Sequence, residues 1–387
     1  MTQDTCRFVY LDHNATTPMD PRVVDAMLPY LRDQFGNPSS HHLLGAKAAN
    51  AVLEARERVA ALVHAAPPEI IFTSGATESI GTVLRATTVD SGKPPGHLAV
   101  GATEHPAVLK TAHYLESRGC TVDYVSVDCD GRLRTNELEK SIANGAKVAS
   151  IMAANNETGV ISPLADVRSI CEAYGALFHC DVTQAIGKLS FSVDDAGVDF
   201  ASMSAHKIYG PKGVGALFIR RSRRDDFSPL LYGGEQEHGF RGGTPNVPGI
   251  VGFGMAAALA AVEVASEKNR LAELRGQLLT ALQRLPVRVS VNGYAAERLP
   301  GTLNVRFEGV DAEALLARLP DVALSTGSAC ASGLPGPSPV LLAMGQDEES
   351  ASNNVRFSLG RFTTADDIHY AVGRISAEVA DLMALSI

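Results

Sequence analysis

The sequence predicts an α/β protein built on a mostly parallel seven-stranded sheet flanked by helices, with a smaller α+β unit after it. Three observations predict this. First, from residue 69 the chain alternates short, nearly continuous apolar runs with amphipathic stretches, the pattern of strands buried on both faces and crossed over by helices. Second, the texture changes near residue 250 to one long helical stretch followed by short strands. Third, 387 residues at 45% hydrophobic and 20% charged are enough for a large core and for two units.

The runs are EIIFTSG (69–75), HLAVGATEH (97–105), TVDYVSVD (121–128), KVASIMAANN (147–156), ALFHCDV (176–182), FASMSAHK (200–207) and GALFIRR (215–221). Ahead of them, residues 46–65 read as a helix with Val52, Ala55, Val59 and Leu62 on one face. After them, residues 251–285 carry Leu271, Leu274, Leu278, Leu282 and Leu285 at helical spacing. VRVSVNG (287–293), GTLNVRF (301–307) and NVRFSLG (354–360) read as strands, 311–319 as a helix, and a last helix starts at Thr364. There is no internal repeat.

The net charge of −9 leaves no excess of Lys and Arg to neutralise phosphates, which argues against sequence-independent nucleic-acid binding and gives no support for an anionic membrane partner. The start, MTQDTCRFVYLD, does not read as a secretory signal, and VGFGMAAALAAV (251–262) is too short to span a bilayer; a cytoplasmic protein is expected. The six cysteines show neither C-x-x-C pairs nor metal-site spacing, so no metal site is expected. Cys120, Cys129, Cys171 and Cys180 lie in or beside apolar stretches and read as inert buried thiols. Cys330 is different. It sits in GSACASG, among small residues and before Gly333, Pro335, Gly336 and Pro337, which is a loop with an uncovered thiol.

In an open α/β sheet ligands bind beyond the carboxyl ends of the strands. Those ends read Ser74-Gly75-Ala76-Thr77, Glu104-His105, Asn155-Asn156-Glu157, Asp181 with Gln184, and Ser204-Ala205-His206-Lys207. A lysine at the end of a buried strand loses its proton readily and can form a Schiff base. Asp181 suits a protonated pyridine nitrogen, and the helix opening at Gly75-Ala76-Thr77 suits a phosphate, with Ser204 and His206 as further donors. His105 can cover a ring and move protons. Together these fit pyridoxal phosphate. Each residue also has a plainer reading: Lys207 as a solvated lysine, Asp181 as a helix cap, His105 before Pro106 as a turn histidine, Asn155-Asn156 as an ordinary turn. The plainer readings leave unexplained why five strand ends are polar at once.

YLDHNATTP, FGNPSS, FTSGATES, EHPAV, ANNETG, SAHKIYGPKG, GSAC and VRFSLGRFTT, in this order from Tyr10 to about Ile368, resemble the cysteine desulfurases of the NifS/IscS-like group. The resemblance implies the fold-type I architecture of pyridoxal-phosphate enzymes in its class-V aminotransferase form, as a homodimer. It implies a large cofactor-binding domain at 16–258 and a small domain from 1–15 and 259–387 that carries the cysteine loop. It implies Lys207 as the covalent cofactor anchor, Asp181 on the pyridine nitrogen, Gln184 on the ring hydroxyl and His105 stacked on the ring as acid/base. Thr77, Ala76, Ser204 and His206 would hold the phosphate, with Thr244 reaching in from the other subunit. Asn156, Arg356 and Asn37 would bind L-cysteine. Cys330 would take its sulfur as a persulfide, leave alanine, and pass the sulfur to an acceptor protein such as an iron–sulfur scaffold.

The chain departs from the resemblance in four places. Pro339 stands where a histidine is common, His13 sits in DHNATTP, residues 345–354 are acidic, and the chain stops at Ile387 without a long tail, which leans toward the NifS-like members. Three rivals remain at this point. An aminotransferase or selenocysteine lyase on the same fold has the same cofactor residues, but an aminotransferase has no use for a loop thiol. A sulfur carrier that has lost catalysis should lack Lys207 or Asp181. A nucleotide-binding protein should carry G-x-G-x-x-G after its first strand.

Overall fold

In the computed structural model, the described residues are 7–89, 95–224, 227–327 and 336–385. The strands are β1 (Val9–Tyr10), β2 (Ile70–Thr73), β3 (His97–Gly101), β4 (Thr121–Val125), β5 (Val148–Ser150), β6 (Leu177–Asp181), β7 (Phe200–Ser204), β8 (Gly215–Ile219), β9 (Val289–Val291), β10 (Thr302–Phe307), β11 (Val322–Ala323) and β12 (Asn354–Ser358). All seven apolar runs enter one sheet, in the order β2-β8-β7-β6-β5-β3-β4. It is parallel except for β8, which pairs antiparallel with both β2 and β7. Helices α1 (Pro21–Arg32), α2 (Leu43–Leu62), α3 (Ala76–Ala86), α4 (Pro106–Ser117), α5 (Thr135–Ala143), α6 (Leu164–Tyr174), α7 (Val193–Ala196) and α8 (Val247–Leu282) accompany it.

The sheet is buried on both faces, which is why its strands read as continuous apolar runs. One face packs against α2 and the first half of α8, through Val52, Ala55 and Val59 with Phe178, Phe218 and Phe253. The other face packs against α3 and α4, through Ile80, Leu84, Val108 and Leu115. Phe178 and Phe218 are fully buried, and each such side chain contributes about 1.5–3 kcal/mol relative to exposure. Close approach of α2 and α8 depends on Gly254, where a Cβ would lie 2.5 Å from Ala55 Cα.

A second core holds Val9 and Leu11 from the N-terminal segment, Leu271, Leu274, Leu278 and Leu282 from the second half of α8, and the three-stranded sheet β12-β10-β9. The sequence expectation extends α8 through Leu285; the helix instead ends at Leu282. Pro286 follows Leu285 and disfavours helical backbone before it. A second difference concerns Cys129. Cys120, Cys171 and Cys180 are buried as expected, but Cys129 is exposed. It lies in the turn closed by Gly131 N–H donating to Asp128 O at 2.9 Å, and turns run on the surface.

Among the described residues α8 is the one helix long and apolar enough to cross a bilayer, and more than half of its most apolar window is buried inside the fold.

Candidate active site

The direction of strand order reverses between β3 and β5, which is where an open α/β sheet leaves a crevice. A cavity of about 490 Å³ opens there, beyond the carboxyl ends of the parallel strands. Ala76, Thr77, His105, Asn156, Asp181, Gln184, Ser204, His206 and Lys207 all line it. These residues span 132 positions of sequence, and the parallel crossovers bring them together because each follows a strand that ends on the same edge.

At one wall α3 begins at Ala76 with no side-chain cap, behind Gly75 at φ +158°. Glycine is needed there on conformational grounds. A Cβ at Gly215 of β8 would lie 2.6 Å from Gly75 Cα, so two glycines let β8 close against this turn. The uncapped N-terminus presents backbone N–H groups and the positive end of the helix dipole to the cavity. Glu78, just beyond, is neutralised: its Oε1 accepts from Arg241 Nε at 3.0 Å and its Oε2 from Ser74 N–H at 2.8 Å.

Lys207 ends the turn Ala205–Lys207 that follows β7. Its Nζ donates to Asn14 O and Ala15 O, both at 2.6 Å. Asp181 Oδ1 accepts from Thr183 N–H at 2.9 Å, so the local cap reading holds for one oxygen while the carboxylate still borders the cavity. His105 both caps α4 and lines the cavity. Its Nδ1 accepts from Ala107 N–H at 3.1 Å, which puts the ring proton on Nε2. Burial lowers the His105 pKa, with Lys207 adding to the effect and Asp181 opposing it. His206 is likewise pushed down to about 4 by burial and the neighbouring cations, led by Lys207. Both rings are therefore neutral near pH 7.

Three expected residues lie elsewhere. Asn37 is exposed, and its Oδ1 accepts from Ser39 N–H at 2.9 Å. Thr244 is exposed and lines a neighbouring pocket of about 190 Å³ with Ser74 and Gly213. Arg356 is fully buried beneath the site: Nη2 donates to Asp12 Oδ1 at 2.7 Å and Nη1 to Asn156 O at 3.1 Å, while Nε has no partner among the described residues. Cys330 lies outside the described residues.

Three groups of the site carry roles that the sequence does not give them, Glu104 among them although it stands at a polar strand end. Asn14, inside the quoted DHNATT, is a hub whose carbonyl receives Lys207. Lys188, four residues after Gln184, reaches the same hub. Glu104 is buried behind the site, with Oε1 accepting from Met152 N–H at 2.6 Å and Oε2 without a partner among the described residues; burial pushes its pKa well above the usual carboxylate range. An acidic residue directly before His105 was the available signal for Glu104.

The donor set suits pyridoxal phosphate: an amine at Lys207, a carboxylate at Asp181, an imidazole at His105, and an uncapped helix start with Ser204 and His206 for a phosphate.

Comparison with known proteins agrees. The class-V aminotransferase family model matches residues 9–370. "Cysteine desulfurase IscS" of Anaeromyxobacter sp. (strain Fw109-5) is 48% identical over 379 residues, 98% of this chain and 94% of that one. The protein of the same name from Rickettsia akari is 42% identical, over 98% of this chain and 92% of that one. Among solved structures, a "NIFS-LIKE PROTEIN" superposes with a TM-score of 0.90 at 38% identity, covering 97% of this chain and all (100%) of that one. One described as "SspA in complex with cysteine" gives a TM-score of 0.81 at 34% identity, over 92% of this chain and 100% of that one.

Proposed function

Because the chain belongs to the class-V aminotransferase family, and within it to the cysteine desulfurases, we propose that it binds pyridoxal 5'-phosphate and converts L-cysteine to L-alanine, leaving the sulfur on Cys330 as a persulfide. The observation that carries the reading is the convergence of Lys207, Asp181 and His105 on one cavity at the strand-order reversal. When bound, pyridoxal phosphate supplies an electron sink for the pair released at the substrate Cα.

The chain's own residues do the rest. Asp181 keeps a proton on the pyridine nitrogen, and Gln184 donates to the ring oxygen. The α3 start at Ala76 and Thr77, with Ser204 and His206, holds the phosphate, joined by Thr244 of a second copy. Lys207 would anchor the group through its amine and would take the substrate Cα proton. His105, neutral with its proton on Nε2, covers the ring and hands protons on. Arg356 and Asn156 hold the substrate carboxylate, with Asn37 closing that end. The Cys330 sulfur then attacks the substrate sulfur. An S–S bond forms, the Cβ–S bond breaks and Cβ gains a proton. Cysteine and a thiol become alanine and a persulfide, with no oxidant or reductant consumed. The persulfide passes to an acceptor protein, such as an iron–sulfur scaffold.

A homodimer belongs to this reading. Leu28 and Leu31 of α1, with Phe35 and Leu43 beyond it, are exposed apolar side chains, 40% to 79% accessible, of the kind a second copy covers. Sedimentation should give a dimer. The deciding experiment incubates the purified protein and its Cys330→Ala variant with L-cysteine and measures alanine. Alanine from the wild type alone supports the proposal. No alanine from a yellow, cofactor-loaded wild type would sink it.

A further inference from the structure

Behind the cavity a chain of hydrogen bonds runs from the small sheet to Gln184. Asn14 Nδ2 donates to Asn156 O at 3.1 Å and to Thr302 Oγ1 at 3.0 Å. Those two bonds use both amide hydrogens of Asn14, so its Oδ1 must face the other way. There it meets Lys188 Nζ at 2.8 Å. Lys188 Nζ also donates to Gln184 Oε1 at 2.5 Å. Gln184 Nε2 is then turned away from Lys188. One of its hydrogens goes to Asn14 O at 3.0 Å, leaving the second for the cavity that Gln184 lines. A flipped Gln184 would set its NH₂ against a Lys188 amine that already donates, and would lose two bonds.

We propose that Lys188 is a positioning residue, which locks the Gln184 carboxamide with its Nε2 donor aimed into the cavity and so makes this wall selective for a ligand oxygen that accepts a hydrogen bond. The inference rests on the function proposed above, in which that oxygen is the ring oxygen of pyridoxal phosphate. The environment fits the role. Both of its contacts are to amide oxygens, Asn14 Oδ1 and Gln184 Oε1, so Lys188 serves both as a donor, while burial, with the Lys207 and Arg356 cations nearby, pushes its pKa well below the ordinary amine range. It contacts neither end of the expected reaction and is absent from the cavity lining.

The test titrates apoprotein with pyridoxal phosphate, and with its analogue lacking the ring oxygen, for wild type, Lys188→Met, Lys188→Arg, Gln184→Leu and the Lys188→Met/Gln184→Leu double variant. Loss of one or two hydrogen bonds predicts a Kd for pyridoxal phosphate about tenfold higher in Lys188→Met, with a shifted visible band of the bound cofactor and partial recovery in Lys188→Arg. The preference of the wild type for pyridoxal phosphate over the analogue should largely vanish in Lys188→Met, and Lys188→Met should add nothing in the Gln184→Leu background. Lys188→Asn, polar but too short to reach Gln184, reads the same release if the Met variant does not fold. Unchanged Kd and band in Lys188→Met, or equal weakening toward the analogue, overturns the role of Lys188 alone. A wild type that takes up no pyridoxal phosphate overturns the cofactor reading with it.

Discussion

The two edges of the seven-stranded sheet each carry a polar crevice of similar size, about 490 Å³ at the carboxyl edge and about 540 Å³ at the amino edge. At the amino edge Arg168 pairs with Glu172, Arg220 with Asp194 and Arg223 with Asp199, at 2.7–2.9 Å. Every charge there has an opposite beside it, and the arginines are substantially exposed. At the carboxyl edge the groups are of different kinds, mostly buried, and leave capacity over: an uncapped helix start and a His105 whose Nε2 carries the ring proton. Size and polarity do not mark a site. Chemical variety that is not internally neutralised does.

The largest expected effects break the carboxyl edge. Lys207→Ala should cut alanine formation by about 10³-fold or more, since it removes the group that both anchors the cofactor and moves the Cα proton. Cys330→Ala should be as inactive yet keep its yellow cofactor, which absorption spectra will distinguish. Asp181→Asn should cost about 10²-fold in kcat, the scale of losing one preorganised electrostatic partner. A rate close to wild type would remove Asp181 from the machinery. Arg356→Lys should raise the KM for cysteine about tenfold or more while moving kcat less, because a lysine cannot reproduce the forked geometry. A KM that stays put would confine Arg356 to holding Asp12 and the Asn156 carbonyl.

A stability measurement sharpens the same contrast. His179, in β6 behind the site, bonds Ser150 Oγ at 2.8 Å and Ser202 Oγ at 2.9 Å, and burial lowers its pKa from 6.5 to about 4. As pH falls from 6.5 to 4 the unfolded chain binds a proton that the folded chain refuses, so stability drops by about 1.4 kcal/mol per pH unit from this residue. His179→Gln should show a shallower fall in Tm across that window than wild type. Parallel curves would mean the imidazole is not held neutral. The smallest effect belongs to the amino edge: Arg223→Ala should leave alanine formation unchanged and shift stability by about 0.5 kcal/mol or less, since its ion pair is solvent-screened. A catalytic defect there would break the comparison outright.

Most of this contrast was legible beforehand because period and position carry it. Buried parallel strands announce themselves as apolar runs, and their last residues face the ligand, so Lys207, Asp181 and His105 could be picked out in order. Lys188 and Asn14 could not, and Glu104 stood among the strand ends without a role. Their roles depend on which partners lie across the site, on segments 142 and 288 residues away for the Asn14 bonds to Asn156 and Thr302, and a hydrogen-bond network leaves no periodic trace. Cys129 was misjudged for a related reason: the apolar run before it ended one turn too early to bury it. Asn37 and Thr244 were named only through resemblance, and both are exposed and stand outside the lining of the main cavity.

Helix α8 has a mechanical consequence. At 36 residues it is about 54 Å long, its first half embedded in one core and its second half in the other. Arg270 on its shaft donates to the carbonyls of Gly360, Arg361 and Thr363, and Arg361 in turn grips Glu267 of the same helix at 2.6 Å. A hinge between the two cores would have to break this continuous rod or strip its bracing. The frame is stiff, so traffic into and out of the cavity is left to surface loops, and substrate entry and product exit should be timed by short peptide segments instead of by a swinging half-molecule.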